Sequence, residues 1–416
     1  MAPPNAIPQR SARLSTGASL FLDAVRLTAA IVVAVGHLSK PAFSTGWKDI
    51  SGYATDAVVA FFLLSGVVIR YVTTHKQETL SSYLTDRVSR IYSVVLPAFL
   101  LVLAVEAVAA LRHIQPDALT RAGVPHFLLL LVANCTFTAF TWHQYLLLPA
   151  NIPLWSLCFE CPYYLLYGVF WYRSGWTRAL LLAAIALAVG PEVLALFPIW
   201  IAGCLLYECF LRLRNYRLHP PALAALLLTV ALLWLALHQR VALWKSASAT
   251  TFHHWQSSAA LNSPLSRALL PRFGHDSFVT LNAYPWAAIF FVGMLLGLLL
   301  LDRLPLAPHG RLRATITVLA EATFPLYLFH WPLFRLAVAL AGHPLASNPA
   351  KLALLLSVVA LSTWLGHILN RFKLALRHRL SNQLASRQMT PHGSQHVMDS
   401  PDGHAFSQAT TLPHLD

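Results

Sequence analysis

The first long apolar block of the chain contains three ionisable side chains, Asp23, Arg26 and His37. Arg26 and His37 are separated by almost three helical turns, so they share one helix face about 16 Å apart along the axis. Asp23 lies one turn before Arg26 on this face and can pair with it. The imidazole of His37, near the outer end of the block, can accept a proton from a hydroxyl group. The alternative is an interfacial histidine that directs its ring toward the lipid headgroups.

Two more ionisable side chains, Glu160 and His330, lie inside later apolar blocks. A carboxylate about two turns into an apolar helix needs a partner, or it becomes protonated. Arg26 or His37 can supply that partner. His330 is flanked by two prolines, which free backbone carbonyls and kink a helix. Because intramembrane ionisable residues are functional-site candidates, we predict catalytic roles for both, with packing or orientation as the alternative.

Arg87 and Arg90 are spaced i, i+3 at the start of another apolar block, so they share a helix face at the membrane boundary. Guanidinium groups bind phosphates, and this pair can clamp the phosphates of a nucleotide-bearing donor. Positive-inside anchoring and contact with anionic lipid explain the two arginines equally well.

The composition indicates a membrane protein. Of 416 residues, 57% are hydrophobic and 11% are charged, whereas a soluble domain has about 25% charged residues. The apolar residues form blocks of about 17 to 25, the length that crosses a bilayer core as helix. The net charge of +14 comes from short Lys and Arg clusters between these blocks, as the positive-inside rule expects. This distribution argues against nucleic-acid binding, which needs a basic soluble face.

The five cysteines lie inside apolar blocks. Cys158 and Cys161 have CxxC spacing, but no second pair or His cluster completes a metal site. We therefore expect small buried thiols and no metal.

Eleven apolar blocks alternate with polar segments, near 20–38, 54–72, 91–111, 126–140, 152–172, 179–190, 193–210, 221–237, 284–301, 314–338 and 351–369. The block 126–140 extends only about 22 Å as helix, less than a bilayer core of about 30 Å. If it is re-entrant or interfacial, the remaining Lys and Arg clusters all lie on the cytoplasmic side. The sequence therefore predicts an all-α polytopic membrane protein with about ten transmembrane helices, one short re-entrant or interfacial segment and both termini cytoplasmic.

Three regions follow along the chain. Residues 1–17 are polar and are expected to form a disordered cytoplasmic N-terminus. Residues 18–372 form the transmembrane domain, and 373–416 are expected to be a cytoplasmic, largely disordered tail. The first apolar block has no small-residue cleavage pattern, so we expect it to remain as the first span. The one long outer loop, 239–283, carries or borders side chains that can cradle a sugar or form an interfacial belt: Trp244, His253, His254, Trp255 and Trp286.

Five motifs occur in order along the chain: Arg-x10-His (26–37), Phe-Phe-x-Leu-Ser-Gly (61–66), Arg-x-x-Arg-Ile-Tyr (87–92), Pro-Leu-Trp-Ser-Leu-x-x-Glu (153–160) and Pro-Leu-Tyr-Leu-x-His-x-Pro (325–332). Together they resemble the membrane-bound acyltransferase-3 family over roughly residues 18–372. Members of this family O-acylate lipopolysaccharide, exopolysaccharide, peptidoglycan, antibiotics and similar acceptors.

The resemblance implies transfer of an acyl group, usually acetyl from acetyl-CoA, to a hydroxyl of a cell-surface polysaccharide or lipid-linked glycan. It implies an acyl-CoA donor that is a substrate rather than a bound cofactor, and a location among the lipids of a bacterial inner membrane. It implies that Arg26 and His37 are the essential pair, that the Arg87/Arg90 motif serves the donor and that Glu160 supports the site. Together with the residues considered above, the predicted catalytic residues are His37, Arg26, Glu160, Asp23 and His330, and the predicted donor-binding residues are Arg87, Arg90 and Tyr92. In the predicted direct transfer, His37 deprotonates the acceptor hydroxyl, and Glu160 or Asp23, through Arg26, stabilises the imidazolium.

The chain also departs from the family pattern. Ser93 stands where many members have proline, Cys158 replaces a frequent serine, and Asn370 stands where many relatives have a glutamate. No SGNH-type hydrolase domain follows, so we expect the stand-alone form. The alternative function is a multi-span transporter of a glycan precursor or small molecule, in which the ionisable residues form a substrate site or relay. The sequence has no inverted repeat with paired broken helices, the usual pointer to alternating access, so acyl transfer is favoured.

Overall fold

The computed structural model describes residues 13–75, 79–112, 118–216, 218–238, 278–304 and 310–388. In these ranges the chain forms helices α1 (Thr16–Leu38), α2 (Ser51–His75), α3 (Leu80–Arg112), α4 (Ala118–Cys135), α5 (Leu157–Tyr172), α6 (Gly175–Val189), α7 (Pro191–Leu213), α8 (Pro220–His238), α9 (Phe278–Leu301), α10 (Arg311–Glu321), α11 (Thr323–Ala341) and α12 (Asn348–Gln388). Two 3-10 segments, Thr141–His143 and Pro149–Ser156, precede α5. The predicted all-α fold is confirmed.

Eight of the described helices are long and apolar enough to cross a bilayer, namely α1, α2, α3, α7, α8, α9, α11 and α12. The predicted polytopic membrane architecture is therefore confirmed. Two of the predicted spans, 152–172 and 179–190, correspond to shorter helices. Helix α5 has 16 residues and helix α6 has 15. At 1.5 Å per residue these helices extend about 24 and 22 Å.

The predicted short segment 126–140 corresponds to a kinked helix that ends within the bundle. Gly123 bends α4 with a φ of +78°, a conformation that glycine adopts without a Cβ clash. After Cys135 the chain turns back, and the Asn134 amide donates to the Leu146 carbonyl at 2.7 Å. The Tyr92 hydroxyl of α3 donates to the Cys135 carbonyl at 2.9 Å. These contacts fix a short apolar segment that does not continue as a full span.

The two ends of the helix bundle contain different parts of the chain. We call the end at which α1 begins the N-face, and the end at which α1 finishes the far face. On the N-face, Arg214 after α7 pairs with Asp302 after α9 at 3.0 Å and donates to the Arg13 carbonyl at 2.9 Å. On the same face, Arg377 of α12 pairs with Asp86 of α3 at 2.6 Å. Both ends of the described chain therefore lie at the N-face.

Helices α2 and α7 cross at two glycines. A Cβ on Gly66 would lie 2.1 Å from the Trp200 carbonyl oxygen, and a Cβ on Gly203 would lie 2.0 Å from the Leu63 carbonyl oxygen. Only glycine permits this approach, which is how small residues bring membrane helices together. The contact holds Ser65, beside Gly66, against α7.

The predicted single block 314–338 is wrong, because it forms two helices, α10 and α11, that meet at Ala322. Pro325 cannot donate a backbone hydrogen bond, so it fits the first turn of α11 and would interrupt a continuous helix. The Thr323 hydroxyl donates to the Ala320 carbonyl at 2.7 Å and closes the end of α10.

The chain termini also differ from the expected regions. The first part of the tail expected to be largely disordered, 373–416, is helical, since α12 continues to Gln388 and its Arg377 is anchored by Asp86. At the other end, α1 begins at Thr16, where the Ser15 hydroxyl accepts from the Ala18 amide at 3.2 Å. Residues 1–12, residues after 388 and four of the predicted loop side chains lie outside the described residues: Trp244, His253, His254 and Trp255.

Candidate active site

Two histidines from distant parts of the chain meet near the far face. His37 lies in the last turn of α1, and His330 lies in α11, where it is fully buried. The His37 Nδ1 and His330 Nε2 atoms are 2.8 Å apart, and the two rings stack with centroids 5.1 Å apart. The two predicted catalytic histidines therefore form one hydrogen-bonded pair.

The hydrogen bonds of this pair fix its proton positions. His330 Nδ1 lies 3.0 Å from the Leu326 carbonyl oxygen, which can only accept a hydrogen bond. His330 Nδ1 therefore carries a proton, and in the neutral ring Nε2 has a lone pair. That lone pair accepts from the protonated Nδ1 of His37. The remaining nitrogen of His37, Nε2, is then unprotonated and can act as a base.

Trp331 fixes the orientation of the His37 ring. Its indole meets the imidazole edge to face, with centroids 5.0 Å apart, and its Nε1 donates to the Pro149 carbonyl at 3.1 Å. Phe43, from the segment after α1, also meets the Trp331 indole edge to face, with ring centroids 4.8 Å apart. Trp331 was not predicted as a site residue, although it lies inside the motif that contains His330.

The proline after His330 shapes the helix around it. Pro332 has no backbone N–H, so the carbonyl of Leu328 has no helical donor. The buried Asn151 side chain donates to this carbonyl at 2.9 Å. A proline was predicted to free a backbone carbonyl, and the Leu328 carbonyl is that group. Its hydrogen-bond donor is Asn151, in the 3-10 segment before α5.

A second feature is a cavity between α1, α2, α3, α5 and α11. Three arginines, Arg26, Arg87 and Arg90, line it together with Glu160. Three guanidinium groups and one carboxylate give this cavity an excess of positive charge. Asp23 is 3.7 Å from Arg26, so the predicted pair is present.

Glu160 has other partners than those predicted. Its carboxylate accepts a hydrogen bond from the Ser65 hydroxyl at 2.5 Å and another from the Tyr164 hydroxyl. Trp200 Nε1 in turn donates to the Ser65 oxygen at 3.1 Å. The prediction that Arg26 or His37 pairs with Glu160 is wrong, because neighbouring hydroxyl groups satisfy the carboxylate. Ser65 and Tyr164 were missed as site residues, although both lie in or beside the quoted motifs.

The predicted donor-binding residues are divided between two places. Arg87 and Arg90 line the cavity, and the Arg87 guanidinium lies 6.0 Å from the centroid of the Tyr164 ring. Tyr92 instead donates to the Cys135 carbonyl and so holds α4 in place.

Tyr327 lies between the cavity and the histidine pair. It lines the cavity, and its ring centroid is 6.1 Å from that of His330. Its hydroxyl is 2.8 Å from the Ser156 hydroxyl and donates to the Pro153 carbonyl at 3.0 Å. The cationic cavity and the histidine pair are therefore separate, with Tyr327 between them. Among the described residues, no group of three His, Cys, Asp or Glu side chains could hold a metal ion.

The fold and the site define a polytopic helical membrane protein with an intramembrane histidine pair beside a cationic cavity. Residues 19–367 match the acyltransferase-3 family model, described as an acyltransferase domain. The chain therefore belongs to the acyltransferase-3 family, and membrane acyltransferase activity follows in general terms. No curated protein and no solved structure matches the chain.

Proposed function

We propose that the protein transfers an acyl group, most simply acetyl, from acyl-CoA to a hydroxyl of a cell-surface or exported polysaccharide. One observation carries this proposal: Tyr327 joins the His37–His330 pair to a cavity lined by three arginines, whose charge favours phosphates. The N-face is the cytoplasmic face in this proposal, and the membrane is a bacterial inner membrane. The donor then enters from the N-face and the acceptor from the far face.

The donor phosphates bind at the N-face part of the cavity. Arg26, Arg87 and Arg90 can form charge-assisted hydrogen bonds with phosphate oxygens, while Glu160 limits their mutual repulsion. Arg26 is about 16 Å from His37 along α1. The pantetheine arm of the donor spans this distance, passing Tyr327 to bring the thioester to the histidine pair.

The reaction is a direct transfer. The acceptor hydroxyl gives its proton to His37 Nε2 as its oxygen attacks the thioester carbon. The carbon–oxygen bond forms, the carbon–sulfur bond breaks, and the leaving thiolate takes up a proton to give free CoA. His37 returns its proton to the leaving group or to solvent, which completes the cycle.

His330 stabilises the imidazolium form of His37. When Nε2 takes up a proton, the Nδ1–H of His37 still donates to the neutral His330 Nε2 at 2.8 Å. This replaces the predicted route through Arg26, because Arg26 lines the cavity and pairs with Asp23. Glu160 and Asp23 act in the donor site instead.

Mass spectrometry of surface glycans tests the proposal. The gene is deleted in its host, and the strain is complemented with wild type, His37→Ala or His343→Ala. His343 is an exposed histidine near the far face and serves as the matched control. We expect the deletion to remove one acyl mass per repeat, restored by wild type and His343→Ala but not by His37→Ala. Unchanged glycan mass with altered glycan export would favour a transporter.

A further inference from the structure

One face of helix α2 borders the cavity. In the range 58–69, every residue of α2 is buried except Phe61, Ser65 and Val68, which are half-buried. These three residues are spaced i, i+4 and i+7, so they share one helix face, and all three line the cavity. The cavity therefore extends along α2 for at least about 10 Å, from Phe61 to Val68.

Phe61 is the member of this stripe nearest the far face. A Cβ on Gly36, in the last turn of α1, would lie 3.1 Å from the Ala54 Cβ, so α2 begins beside the far-face end of α1. One turn from Phe61 toward the N-face, the Ser65 hydroxyl donates to the Glu160 carboxylate at 2.5 Å. The polar contacts of the stripe therefore lie on the N-face side of Phe61.

Phe61 lies where the cavity meets the residues around the histidine pair. Its ring meets the Tyr327 ring edge to face, with centroids 5.8 Å apart. Phe61 also packs against a cluster of buried apolar side chains that includes Ala30, Ala34, Leu326, Trp331 and Phe334. Trp331 is the residue that packs on His37. An apolar group that reaches Phe61 from the cavity therefore meets closely packed side chains.

Of the two rings at this end of the cavity, Tyr327 is held by hydrogen bonds and Phe61 by packing alone. The Tyr327 hydroxyl is 2.8 Å from the Ser156 hydroxyl and donates to the Pro153 carbonyl at 3.0 Å. The side chain of Phe61 has no polar atom, so a smaller residue at this position leaves no hydrogen-bonding group without its partner. The volume of the Phe61 ring therefore determines how much room an apolar group has at this end.

We propose that Phe61 limits the transferred acyl group to a short chain, acetyl or propanoyl. This inference rests on the proposed function and specifies its donor. The acyl group is the leading end of a donor whose phosphates bind nearer the N-face, so it is the part of the donor that reaches Phe61. A closely packed apolar wall discriminates between chains by about 10–200-fold for one methylene group.

The test measures how the rate depends on the length of the acyl chain. Glycan-dependent release of the CoA thiol is followed with acetyl-CoA, butanoyl-CoA and hexanoyl-CoA, using the full-length protein in nanodiscs. The variants are Phe61→Ala, Phe61→Leu and Val68→Ala. Val68 is the matched control, because it lies on the same stripe about 10 Å nearer the N-face, and its truncation enlarges the cavity away from Phe61.

We expect kcat/KM of the wild type for acetyl-CoA to exceed that for hexanoyl-CoA at least about 100-fold. Phe61→Ala is expected to reduce this preference at least about tenfold, because loss of the ring leaves room for further methylene groups. Phe61→Leu should reduce it less, and Val68→Ala should keep the wild-type preference. The ratio of two kcat/KM values does not depend on the fraction of folded protein, so a destabilised variant still gives a valid comparison.

Three results would overturn this proposal and leave acyl transfer itself standing. They are equal use of acetyl-CoA and hexanoyl-CoA by wild type, an unchanged preference in both Phe61 variants, and an equal shift of the preference in Val68→Ala. The last result would assign the limit to the total volume of the cavity. If Phe61→Ala gives no folded protein, Phe61→Leu carries the comparison. If wild type transfers no acyl group from any of the three donors, the function proposed above fails together with this inference.

Discussion

At the scale of residues, the central feature is a histidine pair in which one ring sets the tautomer of the other. The Leu326 carbonyl determines the protonation of His330, and His330 then directs the proton of His37 to Nδ1. Neither histidine needs a carboxylate for this arrangement. In the proposed mechanism this imidazole pair is the relay, and His37 Nε2 takes the proton of the acceptor hydroxyl.

Substitution of His330 tests this relay. In His330→Gln the side-chain amide oxygen can still accept from His37, so we expect a substantial part of kcat to remain. His330→Leu removes the acceptor, and kcat should fall by about 10²–10⁴-fold, the usual contribution of a general base, with KM for acyl-CoA little changed. The measurement is glycan-dependent release of the CoA thiol by purified protein. Full kcat in an expressed and folded His330→Leu would show that His330 has no orienting role.

The sequence identified the types of the site residues but not their partners. Both histidines were predicted, yet they are 293 positions apart, and helix spacing cannot show which faces meet. Glu160 was expected to pair with Arg26 or His37, because a buried carboxylate needs a partner. Two hydroxyl groups satisfy it instead, and serine and tyrosine are too common in helices to be recognised as such partners.

At the scale of elements, the apolar blocks predicted most helices, while the ends of the helices depended on single residues. The block 314–338 is mostly apolar, and Pro325 indicates that α11 begins inside it. The tail of α12 is polar, and its helix depends on contacts such as Arg377 with Asp86, which composition does not reveal. Local pattern thus determines the middle of an element, and tertiary contacts determine where it stops.

The crossing of α2 and α7 gives a prediction for stability. Gly66→Ala would place a Cβ 2.1 Å from the Trp200 carbonyl oxygen, so the helices must separate and Ser65 must move. We expect a loss of about 1–3 kcal/mol, the usual cost of overpacking. Gly52→Ala, on the same helix with no atom within 4 Å of the new Cβ, should be neutral. Thermal unfolding followed by fluorescence-detected size exclusion makes the comparison, and equal melting of the two variants would refute the close crossing.

At the scale of the whole molecule, the described chain begins and ends on one face, which is also rich in cations. Arg214, Arg303 and Arg377 all lie there and all bind other groups at that face. This arrangement agrees with positive-inside topology and supports the proposal that the N-face is cytoplasmic.

Cysteine labelling tests this orientation. After the five native cysteines are replaced, His343→Cys near the far face should react with a membrane-impermeant maleimide in intact cells. Leu218→Cys, in the segment between α7 and α8, should react only after permeabilisation. The reverse labelling pattern would show the opposite membrane orientation, with the N-face outside. The N-face entrance of the cationic cavity would then be inaccessible to a cytoplasmic donor.

The most direct measurement of the central claim is acyl transfer by the purified protein. Isotopically labelled acetyl-CoA and glycan from the deletion strain are incubated with wild type, His37→Ala or His343→Ala, and the glycan mass is measured. We expect labelled acetyl on the glycan with wild type and His343→Ala, and none above background with His37→Ala. Transfer at the wild-type rate by His37→Ala would contradict the assignment of His37 as the base.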